Sequence, residues 1–326
     1  MKYTTLAKSP EFFKETITLI EKSFNYSIDN SFQIDFAPLV ETKNHHNCHI
    51  IIENDKVIAH IGVSNREFKI KDKSYPIDMY GGIAVDEAHR GKGIFKNFFE
   101  HVLALQTNST FHILWSDQVE LYEKFSFYPC IEQLEYDHSL DDVDSYSPTT
   151  LSELSQTDLV TLTLIYNNQS ELRIHREVSD WDSLKLITSS SLFIKKENDV
   201  ITNYFFMNKG EDLSGVIIEV GDFSDYIEIS KYGVLWSPHT HFEDYEVQFA
   251  ALLKVGEHSL FKRFVINYSN SEIEVTKIDN MNIEFIFEKN NLTMDISDFL
   301  TGLLGPGRFE ELSKLPPIYI SGLDSI

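Results

Sequence analysis

Residues 80–93 read YGGIAVDEAHRGKG, Tyr80 through Gly93, and the fold turns on how this stretch is understood. Its first half is apolar and strand-like up to Val85. After Gly93 the period changes to 3.6, with Ile94, Phe95, Phe98, Phe99, Val102 and Leu103 on one stripe opposite Lys96, Asn97, Glu100 and His101, which predicts a helix of about 14 residues. Between strand and helix, Gly91 and Gly93 permit a tight turn whose amides converge at the positive end of the helix. His89, Arg90, Lys92 and Lys96 make a local basic island there, so the turn reads as a diphosphate seat. The plainer alternative is an ordinary strand-to-helix turn with basic residues in solvent.

Working outward, Ser9 and Pro10 look like the start of a helix carrying Phe13, Ile17, Ile20 and Phe24 on one face. Strands are expected at 48–53 and 56–63 around the turn Asn54-Asp55, at 67–70, and at 76–85. On the other side come a strand at 111–115, a short helix at 117–124 and a strand from Phe127. Gly81-Gly82 in mid-strand favours a bulge that would splay this strand from 111–115. The fold class is α/β, a mixed sheet with helices on its faces.

The chain of 326 residues suits about two domains by the usual ~150 residues per domain. Residues 131–160 carry eight acidic residues and no Lys or Arg, so a linker and a boundary near residue 145 are expected, giving units 1–145 and 146–326. The second half repeats the order loosely: a helix at 159–166, strands at 191–196, 200–208, 214–220 and 226–236, a helix at 243–255, and strands at 261–267, 272–278 and 283–288. The net charge of −23 repels nucleic acid and anionic membranes and attracts cationic partners. Two cysteines imply no disulfide framework, and the start MKYTTLAKSPEFF has no apolar signal core, so a cytoplasmic protein is expected, with a homo-oligomer left open.

The run from Gly82 to Ile94 resembles the acetyl-CoA-binding signature of the GCN5-related N-acetyltransferase (GNAT) superfamily, Arg/Gln-x-x-Gly-x-Gly/Ala. Arg90 and Gly93 match its first two fixed positions and Phe95 stands at the third, a departure similar to the multi-domain, Eis-like branch. Residues 121–127, LYEKFSF, resemble the family's Leu-Tyr-x-Lys-x-Gly-Phe segment with Ser126 in place of glycine. The resemblance covers roughly residues 1–135 and implies a GNAT fold followed by a second, degenerate GNAT-like unit. It further implies that the backbone of Ile83, Ala84 and Val85 holds the pantetheine arm of acetyl-CoA, that the N–H groups of Arg90, Gly91, Lys92, Gly93 and Ile94 hold the pyrophosphate, and that His89 and Phe95 belong to the same cofactor-binding segment.

It also implies Tyr122 as the acid that protonates the departing thiolate; its other reading is an aromatic packed under the sheet edge. Base candidates are Asp78, Asp117 and Glu120, of which Asp117-x-x-Glu120 also has capping-box spacing. Eis-like enzymes place a terminal carboxylate in the site, which makes Ile326 a further candidate. No metal is expected: His45-His46-Asn47-Cys48-His49 has no second ligand pair at zinc spacing, and His239-x-His241 is weaker. Trp115, Trp181 and Trp236 read as core, and Gly305-Pro306-Gly307 as a turn. The expected function is acetyl transfer to a primary amine of a cationic small molecule or lysine. The alternatives are a non-catalytic CoA-binding sensor, motivated by Phe95 and Ser126, and an aminoacyl transferase using charged tRNA, which the acidic charge disfavours.

Overall fold

The computed structural model describes residues 1–137, 145–279, 281–305, 312 and 314–326. The chain opens with β1 (Lys2–Thr5), then α1 (Phe13–Ser23), α2 (Phe32–Asp35), α3 (Ala37–Val40), β2 (Cys48–Glu53), β3 (Lys56–Ile70) and β4 (Lys73–Val85). Next come α4 (Ile94–Leu105), β5 (Phe111–Leu114), α5 (Val119–Glu123), β6 (Tyr128–Tyr136), β7 (Ser147–Thr149), α6 (Gln156–Asn167), β8 (Leu172–Arg173), α7 (Trp181–Leu184), β9 (Ser191–Glu197), β10 (Val200–Met207) and β11 (Val216–Val220). The remainder is α8 (Tyr226–Ile229), β12 (Val234–Ser237), β13 (Glu246–Val255), α9 (His258–Tyr268), β14 (Ile273–Ile278), β15 (Asn282–Phe287), β16 (Asn290–Asp295), α10 (Ile296–Leu304) and β17 (Ile318–Tyr319).

Asn54-Asp55 and Asn198-Asp199 turn their hairpins with positive φ at both residues, a conformation that Asn and Asp tolerate and that matches strand twist. The result is one mixed sheet of twelve strands in the order β1-β2-β3-β4-β5-β13-β6-β12-β11-β10-β9-β7. Helices α1 to α3 cover β2 and β3 on one face, while the stripe of α4 (Ile94, Phe98, Phe99 and Val102) packs with Tyr122, Phe125 and Phe127 on the opposite face, over Ile51, Ile58 and Ile61 of the same strands. The largest core joins Phe68, Tyr75 and Phe111 from the first half to Phe261, Phe264, Phe299 and Leu300 from the second.

Several elements differ from expectation. The strands at 56–63 and 67–70 are one continuous strand, β3, and residues 2–5 add the unexpected edge strand β1, paired with β2. Ser9 makes no side-chain cap, and Pro10–Phe12 form a 3-10 turn before α1. Residues 226–236 divide into α8 and β12.

The largest correction is a swap: 243–255 is not a helix but strand β13, and 261–267 is not a strand but part of helix α9. β13 lies between β5 and β6, with Leu252 buried toward the α4 core and Ala251 and Leu253 buried on the opposite face. Covered on both sides from Ala251 to Leu253, that stretch lacks the alternation that marks a half-exposed strand. In α9 the buried residues Phe261, Phe264, Val265 and Tyr268 keep helical spacing, and Glu257 caps the first turn through the Leu260 amide.

The expected linker falls partly on residues 138–144, outside the described residues, and so does most of the turn at 305–307. Among the described residues, no helix is long and apolar enough to cross a membrane.

Candidate active site at the splayed strands

β4 and β5 run parallel and pair from Ile77↔Phe111 to Tyr80↔Leu114, where the pairing ends. Gly81 and Gly82 follow immediately, and the β3–β4 ladder slips between His60 and Gly62 at the same level. This is the expected bulge, with Gly82 at φ +58°. The two strands part there, and a cleft of about 820 Å³ opens between them. Its walls bring together Ile83, Ala84, Val85, Arg90, Phe95, Asp117, Tyr122 and Ile326.

At the loop, Gly91 and Gly93 have φ of +74° and +75°, and a Cβ built on either would meet no atom within 4 Å. The space before α4 is open, and the first-turn amides of that helix have no carbonyl partner within it. The basic side chains mostly hold the loop itself. Arg90 Nε donates to the Val85 carbonyl at 3.1 Å and Lys92 Nζ to the Ala88 carbonyl at 2.8 Å. His89 bridges Asp86 (2.9 Å) and Glu53 (3.1 Å), and its bond to Asp86, reinforced by Glu53, raises its pKa.

Tyr122 is 6% exposed and packs edge-on against Phe95, Phe99 and Phe127 at 5.7 to 6.3 Å. Burial, with the charge of Asp117 nearby, raises its hydroxyl pKa far above the usual phenol range, so it stays protonated. Phe95 stacks on Phe99 at 5.4 Å, so the larger residue at the third motif position forms cleft wall. Ser126 takes the left-handed conformation, φ +64°, that glycine adopts easily. Asp117 faces the cleft, but α5 has Gln118 as its N-cap, with no side-chain cap, so Asp117 and Glu120 do not form a capping box. Asp78 lies beneath the cleft floor at 5% exposure, bonded by Asn65 Nδ2 (2.6 Å), with His112 at 3.5 Å. Neither Asp78 nor Glu120 lines the cleft.

The tail reaches the splay point. A Cβ on Gly81 would lie 2.5 Å from the main-chain carbon of Ile326 and 2.7 Å from its oxygen, so only glycine leaves room for this contact. Two anchors that sequence reasoning missed hold the tail. Lys209 Nζ is buried and donates to the carbonyls of Gly322 (2.9 Å) and Ser325 (2.6 Å); burial lowers its pKa to about 7. Arg176, fully buried, grips Glu219 with both terminal nitrogens (2.7 and 2.6 Å) and Asp324 at 2.7 Å. Burial opposes ionisation of Asp324, but Arg176 and Arg66 prevail and hold its carboxyl below the usual range.

The opposite wall holds Phe24, Tyr26, Phe32 and Phe36 from the segment around α2, together with Trp115 and Trp236. Trp181 is core as expected, at 0% exposure, but Trp115 and Trp236 are half-buried and line the cleft, each just beyond the last residue of a strand pairing. The histidines serve packing: His45 Nε2 bonds the Val40 carbonyl (3.1 Å), His239 pairs with Glu171, and His241 Nε2 meets Ser237 Oγ at 2.8 Å. Among the described residues, no three His, Cys, Asp or Glu are grouped to hold a metal.

Residues 7–130 match the family described as the acetyltransferase (GNAT) domain. A search of curated proteins finds no significant match. Solved structures share the fold over most of the chain. A probable N-acyltransferase from Enterococcus faecalis V583 is 11% identical, with 92% of this chain and 88% of that chain covered and a TM-score of 0.61. A GCN5-related N-acetyltransferase from Anabaena variabilis is 13% identical, with 97% and 94% covered and a TM-score of 0.59. Eis1 from Mycobacterium abscessus is 10% identical, with 92% and 89% covered and a TM-score of 0.60. Residues 7–130 thus carry a GNAT acetyltransferase domain, and the chain as a whole shares the fold of these solved structures.

Proposed function

We propose that the protein transfers an acetyl group from acetyl-CoA to a primary amine of a cationic small molecule or a lysine, by direct attack in a ternary complex. The observation that carries this reading is the meeting, in one cleft, of a splayed strand edge, a protonated buried tyrosine and two carboxyl groups. The open turn at Gly91 and Gly93 suits the diphosphate of the donor, and the backbone of Ile83 to Val85 suits its pantetheine arm. In this reading Asp117 or the carboxyl of Ile326, both of which line the cleft, takes a proton from the incoming ammonium. The neutral amine then attacks the thioester carbon, the C–S bond breaks, Tyr122 protonates the leaving thiolate, and the second proton shed by the nitrogen restores the Tyr122 hydroxyl. A cytoplasmic setting, and a division near residue 145 between a donor-binding unit and a second unit sharing its sheet, belong to the same proposal. Acidic and aromatic walls and a charge of −23 support a cationic acceptor.

Thiol release from acetyl-CoA with a panel of diamines, aminoglycosides and lysine peptides tests the reading. Turnover with at least one amine is expected. Thermal stabilisation by CoA with no thiol release from any amine would instead make the protein a CoA sensor.

Gly81→Ala separates the two carboxyl groups. Its Cβ must displace Ile326 while leaving Asp117 in place, so turnover should fall at least ~10-fold if the tail carries the base. Unchanged turnover in a folded variant assigns the base to Asp117.

A further inference from the structure

The β3–β4 ladder pairs His60 with Ala84 and Gly62 with Gly81, passing over Gly82 and Ile83. The Gly82 carbonyl is taken up by a side chain instead: His60 Nδ1 lies 2.7 Å from it. A carbonyl oxygen only accepts, so Nδ1 carries the hydrogen. The ring is 0% exposed and its Nε2 is buried without a partner, which suits the neutral tautomer with a bare lone pair there. Burial lowers the pKa of His60 to about 4, against the weaker upward pull of the Gly82 bond.

The direction of this bond has a chemical consequence. In a trans peptide the C=O and N–H point in opposite directions, and no peptide in the described chain is cis. Drawing the Gly82 oxygen toward His60 therefore turns the Ile83 N–H away from His60. Ile83 lines the cleft just beyond the last β4–β5 pair, where an unpaired amide would face a ligand. Gly82, lacking a side chain, would otherwise let this peptide turn over and present its oxygen to the cleft.

We propose that His60 is a positioning residue for acyl transfer: by holding the Gly82 carbonyl, it fixes the Ile83 amide in the cleft as the hydrogen-bond donor to the thioester carbonyl. This rests on the acyl-CoA reading above. As the amine attacks, negative charge gathers on that carbonyl oxygen, and a donor already aimed at it stabilises the intermediate without reorganisation. A peptide turned the other way would set two oxygens against each other.

The experiment compares wild type, His60→Leu and His60→Asn, using acetyl-CoA labelled with ¹³C at the thioester carbonyl. Infrared difference spectra of the bound donor report the hydrogen bond directly, and steady-state kinetics and calorimetry with CoA accompany them. In wild type the carbonyl band should move to lower frequency than in solution. His60→Leu should return the band toward its solution position and lower kcat about 10²-fold, the usual effect of losing one such donor, while CoA affinity stays within about twofold. His60→Asn, whose Nδ2 occupies nearly the position of the imidazole Nδ1, should restore most of the band shift and of kcat.

An unshifted band in wild type overturns the proposal, as does His60→Leu with unchanged band and kcat, or a loss of CoA affinity as large as the loss of kcat. Should His60→Leu fail to fold, a folded His60→Asn that lacks the band shift overturns it equally. Failure of wild type to bind acetyl-CoA is a different result: it removes the donor reading itself and the proposal with it.

Discussion

Replacing Arg176 by methionine is expected to destabilise the fold by about 3–5 kcal/mol, the usual cost of removing one partner from a buried ionic cluster. The guanidinium is fully buried, bonded to Glu219 and Asp324, and its carbon lies 4.0 Å from the Tyr166 ring centre and 4.8 Å from that of Trp181. Methionine fills much of the volume but takes the ion-pair partner from Glu219 and leaves Asp324 only Arg66, at 3.7 Å, in an interior where ionisation is costly. Chemical denaturation followed by far-UV circular dichroism measures the effect. Pairing Arg176→Met with Glu219→Gln should recover part of the loss, because one stranded charge is then gone. A single-variant loss below about 1 kcal/mol would show that the cluster is solvated and does not anchor the tail.

Tyr122→Phe is expected to lower kcat by about 10²-fold or more while CoA affinity changes less than twofold. The ring keeps its edge contacts with Phe95, Phe99 and Phe127, so packing survives and only the hydroxyl is lost. Without the hydroxyl the thiolate must leave unprotonated or draw a proton from water, and collapse of the intermediate slows. Steady-state rates with the best amine, read beside calorimetric CoA titration, give the two numbers. Equal losses in both would mark Tyr122 as part of the donor-binding wall and send the search for the acid elsewhere.

The site was legible where local pattern and local geometry coincide. Gly81-Gly82, the turn at Gly91 and Gly93 and the stripe of α4 each carry their conformation in neighbouring residues, and the structure forms bulge, loop and helix where those patterns stand. β13 and α9 were exchanged for a different reason. Ala251 to Leu253 of β13 are buried toward both faces of the sheet by elements distant in sequence and so show no strand alternation, whereas the helical spacing of Phe261, Phe264 and Val265 was hidden in a short aromatic segment. His60, Arg176 and Lys209 left no local signal at all. Each is a single polar residue whose partners lie 22, 43 and 113 positions away, at Gly82, Glu219 and Gly322, and only the folded chain joins them. Trp115 and Trp236 were misassigned because composition does not distinguish a covered ring from a half-buried one that lines a cleft.

The placement of β13 between β5 and β6 also bears on biosynthesis. As the polypeptide emerges from the ribosome, the facing ladder edges of β5 and β6 must wait for Glu246–Val255 before they are satisfied. The nascent amino-terminal half is therefore a template for stray pairing, and a fragment ending before β13 should be prone to aggregate, whereas the finished chain closes the gap with its own strand.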